Sequence, residues 1–98
     1  MALISRSTVY KAQESLAVAG THALPSGIDG HVIVNAEDDE GAIFAVESSG
    51  NVLKLAGTTN TDDADTASML CVYNNAGVPT VKNNLAATKT VTIRLEGV

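Results

Sequence analysis

Most of the devices that reinforce or equip a small protein are missing from this chain. It holds one cysteine, Cys71, so it can form neither an internal disulfide nor a zinc site built from several thiolates. An oxidising, secreted setting is therefore not implied. It has no tryptophan and only three other aromatic rings, Tyr10, Phe44 and Tyr73. The core has to come from Val, Ile, Leu and Ala, which bury less area apiece than a ring, and that favours help from a partner chain. Positive charge is scarce as well: six Lys and Arg face eleven Asp and Glu, for a net charge of −5. The six bases are scattered from Arg6 to Arg94, without the cluster that phosphate neutralisation needs, which argues against nucleic acid as a partner. No apolar run is long enough to cross a bilayer, and Met1–Arg6 turns polar too soon for a signal peptide. No membrane partner is expected, and synthesis in the cytoplasm is.

What is present is turn chemistry, dense and evenly spaced. Turn-forming clusters recur at 19–21, 25–27, 29–30, 48–51, 57–60, 74–77 and 83–84. The runs between them have strand length and leave no room for a helix of three clean turns. The expectation is an all-β fold: a single antiparallel β-sandwich or jelly-roll-like barrel of about eight short strands. The strands are read at Ser7–Lys11, Glu14–Ala19, His31–Ala36, Ala42–Glu47, Asn51–Ala56, Ser68–Asn74, Thr80–Lys82 and Lys89–Glu96. Residues 1–98 make one domain, with residues 1–12 read as an extended or partly ordered N-terminal arm. A short helix over Ala12–Ala19 is the local competitor, since Ser7 can cap a turn beginning at Thr8.

The last strand alternates most clearly, with Val91, Ile93 and Leu95 on one face and Thr90, Thr92, Arg94 and Glu96 on the other. The expected core is Val32, Val34, Phe44, Val46, Leu70, Val72, Val91, Ile93 and Leu95. His31–Val34 and Met69–Tyr73 are apolar on both faces, which marks central strands covered twice. A sandwich of this size has one interior, so the second cover is expected from another subunit, in a homo-oligomer.

Chemical motifs are few. Glu37-Asp38-Asp39-Glu40-Gly41 shares only its charge with a calcium loop, because the EF-hand spacing is not met. A cation held by Asp38, Asp39, Asp62, Asp63 or Asp65 would need the two acidic segments to meet in space; solvated loops at an outer rim are the plainer reading. His22 and His31 lie in or beside turns, away from any nucleophile at a catalytic spacing. Cys71, between Leu70 and Val72, reads as a buried structural thiol. Neither glycine pattern that cradles phosphate occurs. No enzyme activity, catalytic residue, metal or cofactor is expected.

Two stretches carry a likeness to known proteins. Ala42-Ile43-Phe44-Ala45-Val46-Glu47-Ser48-Ser49-Gly50-Asn51-Val52 leads into a segment rich in Thr, Asn and Asp over Gly57–Ser68. The chain then closes with Asn84-Leu85-Ala86-Ala87-Thr88-Lys89-Thr90-Val91-Thr92-Ile93-Arg94-Leu95. This texture resembles small virion structural proteins of tailed bacteriophages, namely head-decoration (cement) proteins and the β modules of tails and fibres. The resemblance implies a non-enzymatic virion protein that assembles with symmetry, favours a trimer and binds other virion proteins such as the major capsid protein. A capsid decoration protein is the leading expectation. A tail or fibre component, or a free-standing carbohydrate-binding or adhesin-like β module, is the alternative.

Overall fold

The computed structural model describes residues 7–37 and 40–97. Nine strands form two sheets, and no helix occurs among the described residues. The strands are β1 (Ser7–Leu16), β2 (Gly20–Ala23), β3 (Gly30–Ala36), β4 (Glu40–Val46), β5 (Val52–Gly57), β6 (Thr61–Asp62), β7 (Leu70–Asn75), β8 (Val78–Asn83) and β9 (Lys89–Gly97). One sheet runs β1-β9-β3-β4-β5 and the other β2-β8-β7-β6. The all-β sandwich expected from the turn spacing is the fold observed.

The nine residues expected in the core are all buried. They come from strands that alternate inward and outward on the two facing sheets, so one period-2 pattern sets both the pleat and the core. Leu16, Leu24, Ala36, Ala42, Val81 and Leu85 complete that core.

Several local readings change. The two strands expected over residues 7–19 are one strand, β1, paired with β9 from Ser7 opposite Gly97 to Leu16 opposite Lys89, with a register shift between Thr8 and Tyr10. The helical competitor loses because β9 offers residues 12–16 a complete ladder and Leu16 a place in the core. Of the proposed N-terminal arm, residues 1–6 lie outside the described residues, and residues 7–12 belong to β1. The turn read at 19–21 hides a crossing between sheets: Gly20 N–H donates to Ala17 O at 2.8 Å, Ala19 N–H to Asn83 O at 2.6 Å, and β2 then pairs with β8. The second small strand missed by the sequence is β6, which runs parallel to β7, the one departure from an antiparallel fold among the described strands.

The opening hairpin of the resemblance, β4 to β5, closes as its residues dictate. Gly50 N–H donates to Glu47 O at 2.9 Å and Glu47 N–H to Asn51 O at 3.0 Å, with Gly50 at a φ of 97°. A three-residue loop with glycine in the left-handed position fits the twist of its strands.

The second cover of β7 also differs from expectation. Cys71 faces away from the core and is fully buried, and its neighbours there are the chain's own Thr66, Met69 and Asn84. The 62–69 loop folds back over this face, so β7 is covered within the chain. The outer face of β3 has no such cover, and Ile33 there is half-buried.

Candidate functional site

The outer face of the five-stranded sheet is assembled by register. Because paired residues in antiparallel strands share a face, the pairings line up three rows across the sheet. The first is Thr8, Glu96, His31, Ala45 and Leu53; the second Lys11, Arg94, Ile33, Ile43 and Ala56; the third Gln13, Thr92, Asn35 and Gly41. Each row passes from β1 and β9 toward β4 and β5.

The rows are graded in chemistry. On β1 and β9 they carry Lys11, Gln13, Thr92 and Arg94, and on β4 and β5 they carry Ile43, Ala45, Leu53 and Ala56. Leu55, at the irregularity in the β4–β5 ladder, adds to the apolar side. Leu53 is 60 % exposed, Leu55 51 % and Ile43 41 %. An open groove of about 560 Å³ lies over Lys11, Gln13, Ile33, Asn35, Thr92 and Arg94. A shallower one of about 360 Å³ continues from Ile33 and Asn35 over Ile43, Ala56 and Gly57. The two share Ile33 and Asn35, so the face is one continuous depression, polar and cationic at one side and apolar at the other.

The residues singled out by sequence fall elsewhere. Asp38 and Asp39 lie outside the described residues. Asp62 accepts hydrogen bonds from the Thr66 hydroxyl and from Asp63 N–H, and the Thr66 bond holds its carboxyl below the usual aspartate value. Asp63 accepts from Lys54 N–H at 2.8 Å, occupying an outward donor of edge strand β5. Asp65 meets Lys82 Nζ at 2.9 Å and Asn84 Nδ2 at 2.9 Å, and the Lys82 bond pulls its carboxyl down while pushing the Lys82 ammonium up. Glu37 accepts from Thr90 N–H, which lowers its carboxyl, and Glu40 from Thr58 and Asn60. These carboxylates pin loops to strands. No group of three metal-ligating side chains occurs among the described residues.

His31 stands in the first outer row, in register with Glu96 and Ala45. The Tyr10 hydroxyl and Nε2 of His22, on β2, share a hydrogen bond of 2.6 Å, and Nδ1 of His22 lies 4.0 Å from Glu14 Oε1. The rings of Tyr10 and His22 stack with centroids 6.0 Å apart. This contact ties β1 to β2, the adjoining edges of the two sheets, and no sequence spacing announced it. Cys71 is buried as expected, and burial pushes its thiol above the ordinary value, with Asp62 and Asp65 adding to the rise.

Sequence reasoning found half of the graded face. The alternation of β9 put Thr92, Arg94 and Glu96 outward, but only the pairing of β1 with β9 brings Lys11 opposite Arg94. Compared with models of protein families, with curated proteins and with solved structures, the chain finds no match in any of the three.

Proposed function

We propose that this protein is a non-enzymatic structural subunit that works by protein–protein contact as a homo-oligomer, and that its place is the virion of a tailed bacteriophage as a capsid decoration protein. The observation that carries the contact role is the apolar half of the outer sheet face, where Ile43, Leu53 and Leu55 stand exposed side by side with Ala45 and Ala56. Large aliphatic side chains gathered on one sheet face of a small, aromatic-poor domain represent apolar burial that association can complete. The placement in a virion is supported by the texture of residues 42–52, 57–68 and 84–95.

The polar hydrogen-bonding loops at the sheet ends suit a subunit present in many inert copies. The carbohydrate-binding alternative has less support on this face, since neither groove is lined by an aromatic ring on which a sugar could stack.

Two measurements test the reading. Light scattering at micromolar concentration is expected to give a homo-oligomer, and Leu53→Asp with Leu55→Asp is expected to give a folded monomer. Electron microscopy of particles from the source is expected to show the chain as a stoichiometric part of the shell. A monomer at every concentration removes the assembly role, and particles without the chain remove the virion role.

A further inference from the structure

The two sheets have four edges, and three of them are covered or short. On β5, Lys54 N–H is taken by the Asp63 carboxylate at 2.8 Å, and Lys54 Nζ reaches Thr58 O at 3.2 Å and Thr61 O at 2.9 Å. The 58–63 segment therefore lies along that edge. β2 and β6, the edges of the other sheet, have only 4 and 2 residues. β1 is different: it has 10 residues, pairs with β9 on one side, and on the other pairs with no strand among the described residues. Every second residue of an antiparallel strand turns its N–H and C=O away from its partner. About four such pairs stand open on β1, allowing for the irregularity between Thr8 and Tyr10. An edge of this length is a template for a further strand unless its side chains forbid one.

The side chains of β1 forbid some strands and invite others. On the outer face β1 carries Thr8, Lys11, Gln13 and Ser15, and no carboxylate. Lys11 is exposed, sits directly opposite Arg94, and takes part in no ion pair or side-chain hydrogen bond among the described residues. Arg94 Nε lies 3.8 Å from Glu96 Oε2, a loose contact along its own strand. A second copy of β1, laid antiparallel about a twofold axis, would add another Lys11 and Arg94 to this face and no β1 carboxylate with them. Like charges gathered across strands are unfavourable, so self-pairing is opposed. An apolar strand would leave both cations unmatched. A strand with carboxylates on the outer face matches them, and the open groove of about 560 Å³ over Lys11, Gln13, Asn35, Thr92 and Arg94 has room for those side chains.

We infer that the open edge of β1 takes an extended segment of another protein, one with carboxylates at alternate positions, as a sixth strand of the outer sheet. Main-chain hydrogen bonds along β1 supply the affinity, and the Lys11 and Arg94 charges supply the selection against other strands. The partner residues between the carboxylates fall on the inner side, beside Tyr10, Ala12 and Glu14, where neutral β-branched side chains fit both the pleat and the Glu14 charge. This edge is separate from the patch of Ile43, Leu53 and Leu55 on β4 and β5, so the contact stands or falls apart from the assembly reading above.

The test uses an end-blocked peptide of about eight residues alternating glutamate and valine, a typical strand length. Binding to the whole chain is read by amide NMR shifts and hydrogen exchange, with circular dichroism confirming the fold of each variant. Saturable binding is expected, with shifts along Ser7–Leu16 and slowed exchange of the outward amides of β1. A peptide with lysine in place of glutamate is expected to bind about tenfold more weakly or worse, and one with N-methylated amides not to bind. Lys11→Glu should weaken the glutamate peptide by about tenfold and Lys11→Ala by less, and raising salt from about 0.1 to 1 M should weaken it as well. Absence of binding at millimolar peptide overturns the inference, as do shifts centred on Leu53 and Leu55 or equal binding of the glutamate and lysine peptides. Outward β1 amides already protected in the free protein overturn it too, because a second copy then fills the edge.

Discussion

Gly50 and Gly77 meet backbone to backbone where the tips of the β4–β5 and β7–β8 hairpins cross, so that a Cβ on Gly50 would lie 2.4 Å from the Gly77 carbonyl oxygen. The same junction is tied by Asn74, whose amide donates to Asn51 Oδ1 at 3.2 Å while its own Oδ1 accepts from Gly77 N–H at 2.7 Å. The two sheets are thus locked at one end by turns that approach closer than any side chain permits.

Gly50→Ala is expected to cost about 3 kcal/mol, because it adds left-handed strain at a φ of 97° to a clash with rigid backbone. Gly77→Ala is the control. It shares a positive φ of 90°, but its Cβ would meet nothing nearer than Ser49 O at 3.9 Å, so about 1 kcal/mol is expected. Urea midpoints of the two variants check the difference, and equal losses would show that the close approach contributes nothing.

Asn83 is a buried polar residue whose every group is in use. Its Nδ2 donates to Leu16 O at 2.8 Å and Ala87 O at 3.0 Å, and its Oδ1 accepts from Leu85 N–H at 3.0 Å. Asn83→Ala strands three backbone groups and is expected to lower stability by about 2–4 kcal/mol in denaturant unfolding. A loss below about 0.5 kcal/mol would mean that water replaces all three bonds.

Asp65 and Lys82 carry one share of the pH dependence, beside the lowered carboxyls of Asp62 and Glu37. A carboxyl held below its ordinary value stabilises the fold above that value and stops doing so as pH falls through the folded pKa. An ammonium held above its ordinary value stabilises below that value and stops as pH rises through its own folded pKa. The contact is therefore complete between about pH 5 and 9 and fades at both extremes. Asp65→Asn should make the acid side of a plot of melting temperature against pH less steep, since asparagine does not titrate while Asp62 and Glu37 still do; an unchanged acid limb would contradict the assignment. The contribution is small, because the pair lies at the surface, with the Asp65 side chain 45 % exposed, where solvent screens it.

Chelation is expected to leave the melting temperature unchanged within scatter. Asp62, Asp63 and Asp65 already accept hydrogen bonds from protein donors, so a cation would have to displace them. A calcium-dependent rise in melting temperature reversed by EDTA would overturn this expectation.

Cys71 is expected to react with a disulfide reagent at pH 8 only as fast as the fold opens. It is fully buried, and burial holds its thiol protonated. Labelling at the rate of the denatured chain would show that the 62–69 loop leaves β7 in the native state.

The periodicity of the chain by itself determined that the fold is all-β, where the inner face of each long strand lies and which nine side chains form the centre of the core, because a two-residue period and turn residues are local properties. It also marked Cys71 as a buried thiol, from its place between Leu70 and Val72. Tertiary structure decided the rest. Whether residues 7–16 form one strand or two, and strand or helix, depended on the ladder offered by β9, some eighty positions away. Thr61–Asp62 became a strand only because Leu70 and Cys71 stood beside it, and β7 found its second cover in a loop that its own sequence marks only as polar. The candidate site belongs to this second class: Lys11 carries no signal in its neighbourhood, and it becomes one of two facing cations only when strand order sets it against Arg94. Register between distant strands is a long-range property, set by how all the inner faces pack at once, and no window of sequence contains it.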